Sequence, residues 1–230
     1  MTVPAVIWHE VECGSYVADL VLWEELAGRR GGPVLELGCG AGRVLRHLAR
    51  RGHEVRGLDL DANLIAGLGD AAVGDARDFE LDRKFALVLA PMQLVQLLAD
   101  AEERGRCLEC VAAHLAPGGL AAFAIVEEMP EPIDAPPPLP DAREVDGWVY
   151  SSLPIDAAVG DGEIRVRRLR QTVSPAGELR EESVDVVLRA LDARTLEREA
   201  EGAGLKPAGR RAIPPTDDHV GSTAVLLEAS

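Results

Sequence analysis

Apolar and polar positions follow two different patterns along this chain. In residues 14–126, apolar runs of strand length alternate with segments whose apolar residues recur at helical spacing. The predicted strands are 34–37, 54–58, 71–73, 85–90 and 120–126, and the predicted helices are 14–29, 42–51, 61–68 and 100–114. Strands that alternate with helices in this way are typical of a parallel α/β sheet.

The pattern changes after residue 126. Six prolines in residues 127–141 predict a stiff crossing without regular structure. Three β-like runs follow, at 148–155, 163–173 and 179–188, with turn residues between them, and then a helix at 192–203 and two strands at 208–213 and 222–228. We therefore expect a core with a leading helix in 1–126, a proline-rich crossing and antiparallel β insertion in 127–190, and completion of the core by a helix and a β-hairpin in 191–230.

A glycine-rich loop follows the first predicted strand. Gly38, Gly40 and Gly42 alternate there, and the second strand closes on Asp59, which is the order of a βαβ unit that binds a nucleotide-like ligand. A loop that binds a dinucleotide has a further glycine where this chain has Arg43. An acid, Glu36, also lies two residues before the first glycine.

These residues resemble motif I and its partner acid in class I S-adenosylmethionine (SAM) methyltransferases of the small-molecule type. Three further segments, 74–77, 90–98 and 115–119, resemble the family's turns in the same order. The resemblance implies a Rossmann-like, seven-stranded, mostly parallel sheet with an antiparallel last strand. The three β-like runs, for their part, predict a three-stranded antiparallel insertion between strands five and six.

The resemblance also implies how SAM is held. Glu36 and the glycine-loop backbone would hold the methionine end, Asp59 the ribose, and Leu60 one face of the adenine. Asp75 and the Ala76 backbone would contact the adenine edge. The full expected cofactor set is Tyr16, Glu36, Gly38, Cys39, Gly40, Gly42, Asp59, Leu60, Asp75, Ala76, Ala90 and Pro91. No metal is expected, because Cys107 and Cys110 lack the further ligands of a zinc site and fit core packing.

Candidate catalytic side chains, which would face the methyl acceptor, follow from topology, because ligands of open α/β sheets bind outside the carboxyl ends of the strands. Glu127 and Glu128 follow the fifth strand, and His219 lies in the terminal hairpin loop, where it could take a proton from an amine. Tyr16 could close over the cofactor. For each acid, a solvated loop carboxylate is the alternative. The chain departs from the family pattern at Leu97, where a histidine is frequent, and at His9, where a tyrosine is more usual.

Composition narrows the function further. Twenty-four basic and 39 acidic residues give a net charge of −15, and aromatic residues make up 3%, which disfavours nucleic-acid binding. Neither an apolar run of membrane-spanning length nor a secretory signal is evident, so we expect a cytoplasmic protein without membrane association.

We therefore expect a SAM-dependent methyltransferase that acts on N or O of a small metabolite and yields S-adenosylhomocysteine (SAH). The β insertion is also expected either to cover the mouth of the substrate site or to pair two subunits as a homodimer. The alternatives are an NAD-dependent oxidoreductase and a non-catalytic SAM-binding regulatory protein.

Overall fold

The computed structural model describes residues 5–129, 139–217 and 219–229. Its helices are α1 (Ala5–Cys13), α2 (Leu20–Arg30), α3 (Arg43–Arg50), α4 (Ala62–Ile65), α5 (Leu94–Leu97), α6 (Ala101–His114) and α7 (Ala193–Gly202). Its strands are β1 (Val34–Leu37), β2 (Val55–Asp59), β3 (Ala71–Val73), β4 (Phe85–Ala90), β5 (Leu115–Ile125), β6 (Asp141–Val145), β7 (Trp148–Gly160), β8 (Glu163–Val173), β9 (Leu179–Arg189), β10 (Leu205–Ile213) and β11 (Ser222–Ala229).

Within the described residues, seven strands form the main sheet in the order β10-β11-β5-β4-β1-β2-β3. β1 pairs in parallel with β2 and β4, and β4 pairs in parallel with β5, whereas β11 is antiparallel to both of its neighbours. Strands covered by helices on both faces are apolar throughout, and Leu87, Leu89, Phe123 and Ile125 are accordingly inaccessible to solvent. The predicted α/β fold and its antiparallel last strand are confirmed. No helix among the described residues is long and apolar enough to span a membrane.

The leading segment differs from the prediction of one helix over residues 14–29. Two helices are present, α1 and α2, with a turn around Gly14 between them. The Gly14 amide donates to Glu10 O, and a Cβ on Gly14 would lie 2.4 Å from that oxygen. The apolar stripe that suggested the helix does belong to α2, where Trp23 and Leu26 are buried.

The insertion has four strands in the part of the chain that the structure describes, in the order β6-β7-β8-β9, rather than the three predicted. The additional strand, β6, pairs with β7 through a turn at Asp146 and Gly147, whose φ angles are 52° and 77°. Asp-Gly is a strong signal for a two-residue hairpin turn, but the predicted crossing ended at residue 141 and the first β run began at 148, so residues 142–147 were left unassigned. Residues 130–138 of that predicted crossing lie outside the described residues.

Gln96 of α5 connects the insertion to the core. Its side chain is fully buried; Nε2 donates to the carbonyl oxygens of Val126 and Arg189 at 2.9 and 3.0 Å, and Oε1 accepts from the Val126 amide at 2.7 Å. Val126 follows β5 and Arg189 ends β9. One side chain therefore satisfies three backbone groups where the insertion returns to the core.

We predict that Gln96→Leu destabilises the protein by about 3 kcal/mol, since each buried polar group left without a partner costs about 1–3 kcal/mol. Chemical denaturation measures the change in the free energy of unfolding. Gln171→Leu is the matched control, because Gln171 bonds to Glu181 on a more exposed surface. Equal losses in the two variants would contradict the connecting role of Gln96.

Candidate functional site

The glycine loop after β1 has a backbone that only glycine adopts readily. Gly38, Gly40 and Gly42 have φ angles of 63°, 53° and 83°. Their neighbours also leave no room for side chains: a Cβ on Gly40 would lie 2.1 Å from His9 Nε2, and one on Gly38 would lie 2.9 Å from Leu94 Cδ1. The loop is therefore a close-fitting turn between α1 and α5.

Glu36 lies just before this loop, on a strand that is otherwise apolar. It is 2% exposed and shares a face of β1 with Val34, which packs against α2 and α3. Burial raises the pKa of Glu36 to about 8, although the nearby Arg43 charge opposes the shift. Its Oε2 atom is buried and has no hydrogen-bond partner among the described residues. Such an orphaned acceptor at the base of a glycine loop fits a ligand that brings a donor or a positive charge.

Asp59 and Leu60 lie at the carboxyl end of β2, beside the glycine loop. The Asp59 carboxylate accepts from the Gly40 amide at 2.7 Å and from the Asp61 amide at 2.9 Å. Leu60 is 69% exposed, which is unusual for leucine and leaves an apolar surface next to Asp59. The predicted ribose and adenine positions are therefore adjacent.

Asp75 and Ala76 follow β3 at the same edge of the sheet. Hydrogen bonds from Arg77, at 2.6–3.1 Å, hold the pKa of Asp75 at about 2. Arg77 also contacts Glu103 of α6 at 2.5 Å. The structure thus gives Asp75 a protein partner that the sequence did not indicate, and this pairing fixes the orientation of the carboxylate.

Ala90 and Pro91 end β4 and are buried. The next two residues, Met92 and Gln93, have φ angles of 55° and 63°, which is costly for residues other than glycine. Such strained backbone often lies at functional sites.

Cys39 contributes only its backbone to the cleft, because its Sγ points at Gly57 in the core.

Arg43 stands where a dinucleotide loop has glycine, and the structure shows its role. It donates to both carboxylate oxygens of Asp19 at 2.6 and 2.7 Å and to the Tyr16 carbonyl at 2.9 Å. Asp19 is 1% exposed and also accepts from the indole of Trp23. Arg43 therefore fixes the segment before α2 against the start of α3. Sequence reasoning missed Asp19, which belongs to no recognised motif.

His219 reaches the same edge from the loop between β10 and β11. Its ring lies 4.7 Å from that of Tyr16, with 31° between the planes. Tyr16 is buried, which raises the pKa of its hydroxyl. The structure thus brings together two of the four candidate catalytic side chains, Tyr16 and His219.

The two acids predicted beside them have different surroundings. Glu127 accepts from the Ala193 amide at 2.8 Å, where α7 begins, and from the Thr223 hydroxyl at 2.7 Å. Through these two bonds Glu127 connects the segment after β5 to α7 and β11, which is a structural role. Glu128 is exposed to solvent. In the described ranges, no group of three or more His, Cys, Asp and Glu residues could hold a metal ion.

Comparisons with known proteins agree with this architecture. Residues 34–119 match the methyltransferase domain family. The chain is 34% identical over 112 residues to a dTDP-3-amino-3,4,6-trideoxy-α-D-glucopyranose N,N-dimethyltransferase from Streptomyces venezuelae, a match that covers 46% of this chain and 46% of that protein. The chain thus spans about half the length of the curated relatives it matches.

Two solved structures share the fold over nearly the whole chain. Streptomyces venezuelae DesVI superposes with a TM-score of 0.71 at 22% identity, covering 95% of this chain and 94% of that one. SAM-bound CalS10, an amino pentose methyltransferase from Micromonospora echinaspora involved in calicheamicin biosynthesis, gives 0.71 at 21% identity, covering 100% and 99%. The expected methyltransferase resemblance is confirmed, and the oxidoreductase alternative has no support in these matches.

We predict that Glu36→Gln stabilises the ligand-free protein in a pH-dependent manner. The folded-state pKa lies above the ordinary value of 4.5, so Glu36 favours folding below pH 4.5 and this contribution is lost as pH rises toward 8. The stability of the variant relative to the wild type should increase by about 2 kcal/mol or more between pH 5 and pH 8.5. Urea denaturation at both pH values measures this change.

Glu144→Gln, on the exposed surface of β6, is the control for that comparison. A stability difference for Glu36→Gln that does not change with pH would show that Glu36 is not held as a neutral acid.

Proposed function

We propose, on the basis of the match of residues 34–119 to the methyltransferase domain family, that the protein uses SAM to methylate a nitrogen atom of a small-molecule amine. The observation that carries the proposal is the buried, unpartnered carboxylate oxygen of Glu36 beside the glycine loop. Bound SAM supplies an electrophilic sulfonium methyl group, so the protein's task is alignment and exclusion of water.

The residues around the loop fit this cofactor. Glu36 would attract the positively charged amino end of SAM, and the glycine-loop backbone would lie against the methionine chain. Asp59 would accept from the ribose hydroxyls, with its position fixed by the Gly40 and Asp61 amides. Leu60 would cover the adenine with its exposed side chain, and Asp75 with the Ala76 backbone would contact the adenine edge.

An amine is the acceptor that the comparisons favour. The matched relative from Streptomyces venezuelae is named for N,N-dimethylation of an amino sugar, and CalS10 is described as an amino pentose methyltransferase. We therefore propose an amino sugar or a similar amine rather than a hydroxyl compound. An alkylammonium ion must lose a proton before its nitrogen can attack, and His219, supported by the Tyr16 ring, is the candidate base. Glu127 and Glu128 remain proposed rim groups.

Homodimerisation through the insertion and a cytoplasmic location are also proposals. Among the described residues, β6 and β9 are the outer strands of the insertion sheet, and Val149 and Leu179 are 42% and 55% exposed on it. Exposed edges and apolar side chains favour association. The net charge of −15 supports a small-molecule partner over nucleic acid.

We predict that SAM and SAH each bind one-to-one in calorimetry and that NAD does not bind. With labelled SAM, the methyl group should reach amino sugars and not the corresponding sugars that carry only hydroxyl groups. Binding without transfer to any amine would favour the regulatory alternative. Binding of NAD without SAM would contradict the proposal.

Two variants test whether SAH binds at the predicted cofactor site. Asp59→Ala should weaken SAH binding by about 1–3 kcal/mol, because it removes a charged acceptor and frees the Gly40 amide. Asp70→Ala, at the opposite edge of the sheet, should bind SAH as the wild type does.

A further inference from the structure

Helix α1 lies between the glycine loop and the insertion. On the insertion side, Trp8 packs edge-on against Tyr150 of β7, with ring centroids 5.7 Å apart, and the Arg170 guanidinium lies 5.0 Å from the Trp8 ring centroid. Trp8, Val11 and Tyr150 form a small buried cluster of their own. The helix therefore packs against the insertion through an apolar contact separate from the main core.

Glu12 adds a charged contact one turn further along α1. Arg170 donates from Nε to Glu12 Oε1 at 2.7 Å and from Nη2 to Oε2 at 2.8 Å, and the Ser152 hydroxyl donates to Oε1 at 2.8 Å. Arg168 lies 3.5 Å from the same carboxylate. The Glu12 side chain is only 13% exposed. Burial would raise its pKa, but the Arg170 and Ser152 hydrogen bonds outweigh it and lower the pKa, so the pair is ionised.

His9 reaches from the same helix to the glycine loop. Its ring occupies the space where a Gly40 side chain would lie, and the Ala41 amide approaches its Nδ1 at 3.5 Å. Trp8 and Glu12, four residues apart, share the face of the helix that meets the insertion, whereas His9 is rotated by about 100° from Trp8 and by about 60° from Glu12. One short helix thus contacts both parts of the protein with different faces.

A nine-residue helix has little stability of its own in water. Its position over the loop depends on the contacts that hold it, and the buried Glu12–Arg170 pair is the most directional of these. We propose that Glu12 is a positioning residue for the cofactor site: through Arg170 and Ser152 it fixes α1 on the insertion, so that His9 covers the glycine loop. The insertion thereby becomes part of cofactor binding, although it contributes no residue to the loop.

This proposal rests on the proposed function, because the ligand beneath His9 is taken to be SAM. Its test compares SAH with 5′-methylthioadenosine, which lacks the amino-acid end that the glycine loop would hold. Glu12→Gln should weaken SAH binding at least tenfold and change binding of 5′-methylthioadenosine less than twofold. A general loss of structure would weaken both ligands alike.

Further variants complete the design, each checked for folding by circular dichroism and thermal unfolding. Ser152→Ala keeps the ion pair between Glu12 and Arg170, and it should therefore weaken SAH binding by a smaller factor than Glu12→Gln does. His9→Ala should match Glu12→Gln, and the double variant should be no weaker than either alone, because both changes remove the same cover. Glu181→Gln is the matched control, since its register with Gln171 places it on the opposite face of the insertion.

Three outcomes would overturn the proposal. If the wild type binds SAH and Glu12→Gln binds it equally well, Glu12 does not position the site, and the proposed function stands. If both ligands weaken equally, or if the effects of Glu12→Gln and His9→Ala add, Glu12 does not act through His9. If the wild type itself fails to bind SAH, the proposed function fails and this inference fails with it.

Discussion

The burial of Glu36 is the constraint on which the rest of the site depends. An ionisable carboxyl in an apolar strand is stable only as a neutral acid or beside a compensating charge. Here Glu36 lies where β1 passes into the glycine loop, with one oxygen that has no partner among the described residues, and Arg43, whose charge opposes the rise in its pKa, is paired with Asp19. The ligand-free protein therefore retains an unfavourable group at the point where a cationic ligand would relieve it. The glycine loop, Asp59 and the end of β4 lie around that point because adjacent parallel strands end at one edge of the sheet.

The segments that cover this edge come from distant parts of the chain. Tyr16 and His219 meet across about two hundred residues, and Glu12 meets Arg170 from the insertion. Gln96 holds the other end of the insertion, where β9 returns to the core. The four-stranded sheet is thus bound to the core through α1 on one side and through α5 on the other. In the proposed methyl transfer the cofactor supplies the reactive group, and such positioning is the protein's own contribution.

The core and the glycine loop could be predicted from sequence because they rest on local signals. Glycines with positive φ, an acid at the end of a strand and strand-length apolar runs each have a direct physical reason in the neighbouring residues. Other contacts were not predicted, either because the partner is distant in sequence or because the local signal was not used. The Asp146-Gly147 turn was such a local signal, whereas nothing near Glu127 in sequence shows that it bonds to Ala193 and Thr223. Likewise, the pairing of Glu12 with Arg170 depends on the completed fold.

The proposed contact between Glu36 and the amino end of SAM predicts that protons are released when the ligand binds. With a pKa of about 8, Glu36 is mostly protonated at pH 7 in the free protein, and an adjacent ammonium group would lower that pKa. Calorimetry of SAH binding at pH 7, in buffers of different ionisation enthalpy, should therefore show a net release of protons on binding. Glu36→Gln should release none. SAH binding by the wild type without proton release would contradict the claim.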